Sequence, residues 1–116
     1  MEHIYNKLVR DKIPDIIEAD NRISVTRILD DEEYEKELVN KLLEEAKEVE
    51  NAKNDEEVVK ELADVLEVLR YIAKTKGKTL DDIIKLADDK KEKRGGFDYK
   101  IFLEKEISEE WKKKNF

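Results

Sequence analysis

No cysteine occurs anywhere in this chain of 116 residues. Disulfide bridges, thiolate zinc sites and a cysteine nucleophile are therefore excluded. Proline appears once and glycine three times, so little in the sequence interrupts long helices. The one histidine, His3, lies near the start of the chain, where a surface position is expected. With no other histidine, the Glu-x-x-His signature of di-iron helical bundles is missing. No apolar run approaches the roughly 20 residues that a membrane span needs, and no signal-peptide core opens the chain. These absences lead to the expectation of a cytoplasmic protein that does not engage a membrane.

What is there is charge, laid over a helical pattern. Charged residues make up 47% and hydrophobic residues 39%, a balance that would suit disorder if the apolar residues did not recur periodically. They do recur, so residues 1–116 read as a single, mostly helical domain with one modest core. A net charge of −7 argues against duplex nucleic acid as a partner, because such binding rests on neutralising phosphates. Two local exceptions are basic, "DDKKEKRGG" and the tail "WKKKNF"; the tail reads most simply as a solvated face.

Along the chain, Pro14 can open a short helix over Asp15–Ala19. The alternating, β-branched "ISVTRIL" (23–29) predicts a short strand. Asp30 or Asp31 can cap a long helix reaching about Lys53, and Asn54 or Asp55 a second that stops near Gly77. Thr79 can cap a third, "TLDDIIKLADDKKEKR", ended by Gly95-Gly96. The remainder begins as a second short strand after residue 96 and trails into a charged helix or tail. The fold class is thus all-α, a helical bundle carrying two short strands.

The two longest helices break their own pattern. At 100° per residue, Tyr34, Leu38, Val39, Leu42, Leu43, Ala46, Val49 and Ala52 form one broad apolar stripe. Glu45 falls inside it, between Ala52 and Leu38, with Glu44 and Glu48 on its flank. In the next helix Val58, Leu62, Val65, Leu66, Leu69, Ile72 and Ala73 form the stripe. There Glu61 falls between Val68 and Ile72, and Asp64 between Tyr71 and Val68, whereas Glu67 points away. An antiparallel helical hairpin can bring Glu45 and Glu48 opposite Glu61 and Asp64. Crowded, partly buried carboxylates must acquire protons or cations. Hard oxygen donors alone favour Mg²⁺, with Mn²⁺ as a substitute, over Zn²⁺. The competing reading is that these acids merely form surface ion pairs with lysines, each worth little. Repetition of the same break on two successive helices argues for the cation.

"EEAKEVE" supplies Glu44-Glu45-x-x-Glu48 and "ELAD" supplies Glu61-x-x-Asp64. Together they resemble the EExxE…ExxD signature of the all-α NTP pyrophosphohydrolases, the MazG-like and phosphoribosyl-ATP pyrophosphohydrolase-like group. "YNKLVRDKIP" and "KKEKRGGF" resemble the flanking motifs of a short-chain branch of that group, so the likeness spans Tyr5 to Phe97. It implies a bundle of the MazG-like type and cleavage of a nucleoside triphosphate between its α and β phosphorus atoms, giving a monophosphate and pyrophosphate. It further implies that Glu45, Glu48, Glu61 and Asp64 hold Mg²⁺. Glu44 would lie outside the ligand set, or would orient or deprotonate the attacking water. Lys90 and Arg94 would grip the phosphates, Lys90 rather than Lys91 provided the helix persists to Arg94. Lys7 and Arg10 are further candidates for that task.

The chemistry suits the residue types, since phosphoryl transfer demands charge neutralisation and positioning more than a covalent nucleophile. No P-loop or nucleophile elbow offers another route. A general, house-cleaning NTP pyrophosphatase is the leading expectation. Hydrolysis of phosphoribosyl-ATP in histidine synthesis and a non-catalytic acidic interaction module are the alternatives. So much apolar surface on three helices also predicts a homodimer or homotetramer.

Overall fold

The computed structural model describes residues 1–115, of Lys112 the backbone only; Phe116, the end of the basic tail, lies outside the described residues. Five helices follow one another: α1 (Ile13–Ala19), α2 (Asp31–Asn51), α3 (Asp55–Thr75), α4 (Leu80–Arg94) and α5 (Glu109–Asn115). The chain divides into two compact units, Met1–Ile83 and Ile84 onward.

The helix starts follow from their caps. The Asp30 carboxylate accepts the Glu33 backbone N–H at 2.8 Å, and the Asn54 side chain accepts that of Glu57 at 2.9 Å. Each satisfies a donor that the first helical turn would otherwise leave unpaired. Ahead of α4, Thr79 Oγ1 accepts from the Asp82 N–H at 3.2 Å while Asp82 Oδ2 accepts from the Thr79 N–H at 2.8 Å, a reciprocal capping box with aspartate in place of the usual glutamate. Acids crowd the first turns of α2 and α3, Asp31–Glu33 and Asp55–Glu57, where they complement the helix dipole. At the other end of α3, Gly77 adopts φ 70° and the Lys78 N–H reaches back to the Ala73 carbonyl at 3.0 Å. This left-handed C-terminal turn is one that glycine enters without steric cost.

In the first unit the core is the α2–α3 hairpin, two helices of 21 residues joined by the short turn Ala52–Asn54. Its buried apolar residues are Leu38 of α2 and Val68 and Ala73 of α3. The broad stripes expected from the sequence are split. Leu42 and Val49 are half-buried, but Val39 and Leu43 are 49% and 64% exposed, and on α3 Leu62 and Leu66 are exposed while Val68, left outside the expected stripe, is buried. One helix can cover only the narrow seam of its neighbour facing it, so a stripe wider than that seam leaves its outer half bare.

The two expected strands are corrected. Among the described residues there is no strand. Residues 22–30 and 101–108 are irregular, with Ile23, Val25 and Ile28 more than nine-tenths exposed. Alternation and β-branching are only half of a strand's requirement. Its backbone donors and acceptors need a neighbouring strand, and neither segment has one. The all-helical class holds without them. No helix among the described residues is long and apolar enough to cross a membrane.

Candidate functional site

The hairpin register sets three acids against one another. Glu45 projects from α2 one turn beyond Lys41, on the inward face shared with Leu38 and Leu42, and is 9% exposed. Glu61 and Asp64 come from α3, one turn apart and half-buried. Each contributes a carboxylate oxygen to a group whose members all lie within 4.8 Å of one another. Glu45 is thus more buried than Leu43 and Ala46 beside it, an inversion of the usual order for a soluble helix.

The electrostatics record the crowding. Burial pushes the Glu45 carboxyl above its ordinary pKa, and the negative charge of Asp64 adds to the rise; Lys41, with Nζ 3.8 Å from Glu45 Oε1, partly offsets it. Glu61 is raised as well, by desolvation first and then by the charges of Asp64, Glu45 and Glu48. Neighbouring carboxylates resist ionising together, so this cluster favours whatever brings positive charge. Its donors are hard oxygens with no nitrogen or sulfur among them, a set that fits Mg²⁺ or Mn²⁺.

Glu48 stands apart from the three. It is exposed and outside the 4.8 Å group, though near enough for its charge to bear on Glu45 and Glu61. Glu44 is different again. Its carboxylate accepts from Lys7 Nζ at 3.1 Å and lies 3.3 Å from Lys41 Nζ. Burial alone would raise its pKa, but these two ammonium groups outweigh it and hold Glu44 below the ordinary value.

The expected phosphate-binding cations fall into two sets. Lys7 and Arg10 lie on the acids themselves: Lys7 on Glu44, and Arg10 with Nη2 2.8 Å from Asp64 Oδ1 and Nη1 3.4 Å from Glu67 Oε2. Lys90 and Arg94 belong to the second unit, exposed on the last turns of α4. The helix does persist to Arg94, which puts Lys90 rather than Lys91 on its face at i, i+4. His3 is exposed and stacks on Tyr5 with ring centroids 4.6 Å apart.

Two residues escaped the sequence reading. Glu67, expected to point away, accepts from Arg10 and from Arg70, the latter at 2.6 Å. Lys41 reaches both Glu44 and Glu45 with a side chain only 17% exposed. Its spacing to them at i+3 and i+4 was the available signal; nothing local pointed to a contact between Arg10 and Glu67, which are 57 residues apart. Compared with known proteins, the chain matches no family model, no curated protein and no solved structure.

Proposed function

We propose that this protein is a Mg²⁺-dependent nucleoside triphosphate pyrophosphohydrolase of the all-α, MazG-like kind, which cleaves the α–β phosphoanhydride bond to give a monophosphate and pyrophosphate. The supporting observation is the convergence of Glu45, Glu61 and Asp64 between the two helices of the hairpin, where burial and mutual repulsion raise Glu45 and Glu61. Arg10 on Asp64 and Lys41 near Glu45 offset part of this charge; Glu61 has no such ion pair among the described residues, and a dication shared by the three acids would offset the rest.

In this reading Glu45, Glu61 and Asp64 hold the metal and Glu48 joins them from the exposed flank. Bound Mg²⁺ supplies charge neutralisation for the phosphate oxygens and a lowered pKa for coordinated water. Glu44, kept ionised by Lys7 and Lys41, suits orientation of the attacking water better than removal of its proton, because a lowered pKa makes a weak base. The phosphate-gripping role of Lys90 and Arg94 rests on the likeness of "KKEKRGGF" alone, and charge-assisted hydrogen bonds are the contacts it implies.

A homodimer or homotetramer is part of the proposal. Val39 and Leu43 on α2, with Val59, Leu62 and Leu66 on α3, are exposed on a hairpin whose own apolar core is three residues. The test of the activity is a panel of natural and damaged nucleotides incubated with Mg²⁺ and scored for pyrophosphate release. A second reading, a non-catalytic helical module, draws on the ion pairs of Arg10 with Asp64 and Lys7 with Glu44. It predicts no turnover on any member of the panel.

A further inference from the structure

The segment ahead of α1 crosses to both helices of the hairpin. Asn6 turns the chain through the left-handed region at φ 46°, which asparagine enters more readily than most residues. Lys7 follows, with Nζ 3.1 Å from Glu44 Oε1 on α2. Three residues on, Arg10 reaches α3, forking onto Asp64 at 2.8 Å and Glu67 at 3.4 Å. The Arg10 carbonyl in turn accepts the Ile13 N–H at 3.0 Å, which ties it to the start of α1. The Lys7 and Arg10 side chains are 41% and 56% exposed, so each contact can open by rotation of its own side chain while the half-buried Leu8 and Val9 between them stay in place, and each is held weakly.

Asp64 is the shared element. It is one of the three acids of the crowded cluster and also the carboxylate on which the Arg10 guanidinium rests. A guanidinium at 2.8 Å and a dication on the same carboxylate would stand within a few ångströms of each other, and like charges at that range repel.

We propose that residues 5–12 form a cationic strap, with Lys7 on Glu44 and Arg10 on Asp64 and Glu67, and that Arg10 leaves Asp64 when a divalent cation binds there. The strap rests on the metal reading of Glu45, Glu61 and Asp64 given above. It makes Arg10 a competitor of the metal, and it couples metal occupancy to the release of a guanidinium that can then meet an anion.

The test uses the full chain as wild type and as Arg10→Gln, with Mn²⁺ affinity measured by calorimetry and Mg²⁺ titrations followed by backbone NMR. Arg10→Gln is expected to bind Mn²⁺ about two- to fivefold more tightly, the range set by the loss of one exposed ion pair. In the wild type, amide resonances of residues 7–12 are expected to move with the same Mg²⁺ midpoint as those of Glu45, Glu61 and Asp64. Arg10→Lys keeps a cation but not the fork onto Asp64 and Glu67. It should tighten Mn²⁺ binding by less, which keeps the test decisive should Arg10→Gln fail to fold. Equal affinities in wild type and variants overturn the strap and leave the metal reading standing. So do saturable shifts on α2 and α3 with residues 7–12 unmoved. No saturable binding by any of the proteins defeats the metal reading and the strap together.

Discussion

Carboxylate oxygens of Glu45 on α2 and Asp64 on α3 face each other within 4.8 Å across the hairpin. The Asp64 charge, added to the burial of Glu45, keeps Glu45 reluctant to ionise. That single relationship links the stability of the metal-free protein to the chemistry proposed for it.

Stability should therefore depend on pH through Glu45 with a definite sign. The folded state holds the Glu45 proton more tightly than the unfolded chain does. Its contribution favours the fold below the ordinary carboxylate pKa and is lost as pH rises through the raised value. Glu44, whose pKa is lowered, acts in the opposite sense, contributing above the ordinary value and losing that contribution as pH falls through the lowered one. Glu45→Gln imitates the protonated acid permanently. In EDTA it should melt a few degrees above wild type near pH 7.5 and close to wild type near pH 4. A pH-independent difference in Tm would contradict the assignment.

The same substitution separates function from folding. Glu45→Gln and Asp64→Asn should each abolish turnover and saturable Mg²⁺ binding while the metal-free protein stays helical by circular dichroism. If either variant unfolds, the acids are structural members of ion-pair networks and the metal reading fails.

Much of this architecture was legible in the sequence, for identifiable reasons. Asp30, Asn54 and Thr79 announce helix starts because their side chains can accept the backbone N–H two or three residues ahead, a local requirement that needs no knowledge of the fold. The misplacement of Glu45, Glu61 and Asp64 on apolar faces is equally local. What could not be read is which part of each stripe turns inward. Val68 is buried while Leu62 and Leu66 are exposed, and only the position of the opposing helix decides between them. Residues 23–29 mislead for a related reason, since their alternation is genuine but no strand stands beside them. The Arg10 fork onto Asp64 and Glu67 is a contact across more than 50 residues, and no spacing rule reaches that far.

Arg94 offers a test on the second unit. If it grips phosphate, Arg94→Ala forfeits a charge-assisted contact worth about 1.5–3 kcal/mol, roughly ten- to a hundredfold in kcat/KM. Arg94→Lys should not restore the whole loss if the contact is bidentate. Mg²⁺ affinity should be unchanged, and stability should fall by only about a few tenths of a kcal/mol, the scale of an exposed cation at a helix C-terminus. Wild-type kinetics in Arg94→Ala would return the residue to a purely solvating role.

Assembly is tested by mass. Light scattering at micromolar concentration should give a multiple of the 13.8 kDa chain, and Leu43→Lys, placing charge on the exposed half of the α2 stripe, should shift it towards the monomer. A wild-type mass equal to one chain would refute the shared core.

The most direct measurement of the central claim is ³¹P NMR of the products formed from a nucleoside triphosphate, with Mg²⁺ present and again in excess EDTA. The carboxylate cluster predicts nucleoside monophosphate and pyrophosphate in Mg²⁺, and no reaction in EDTA or with Asp64→Asn. Nucleoside diphosphate with orthophosphate, or undiminished turnover in EDTA, would contradict it.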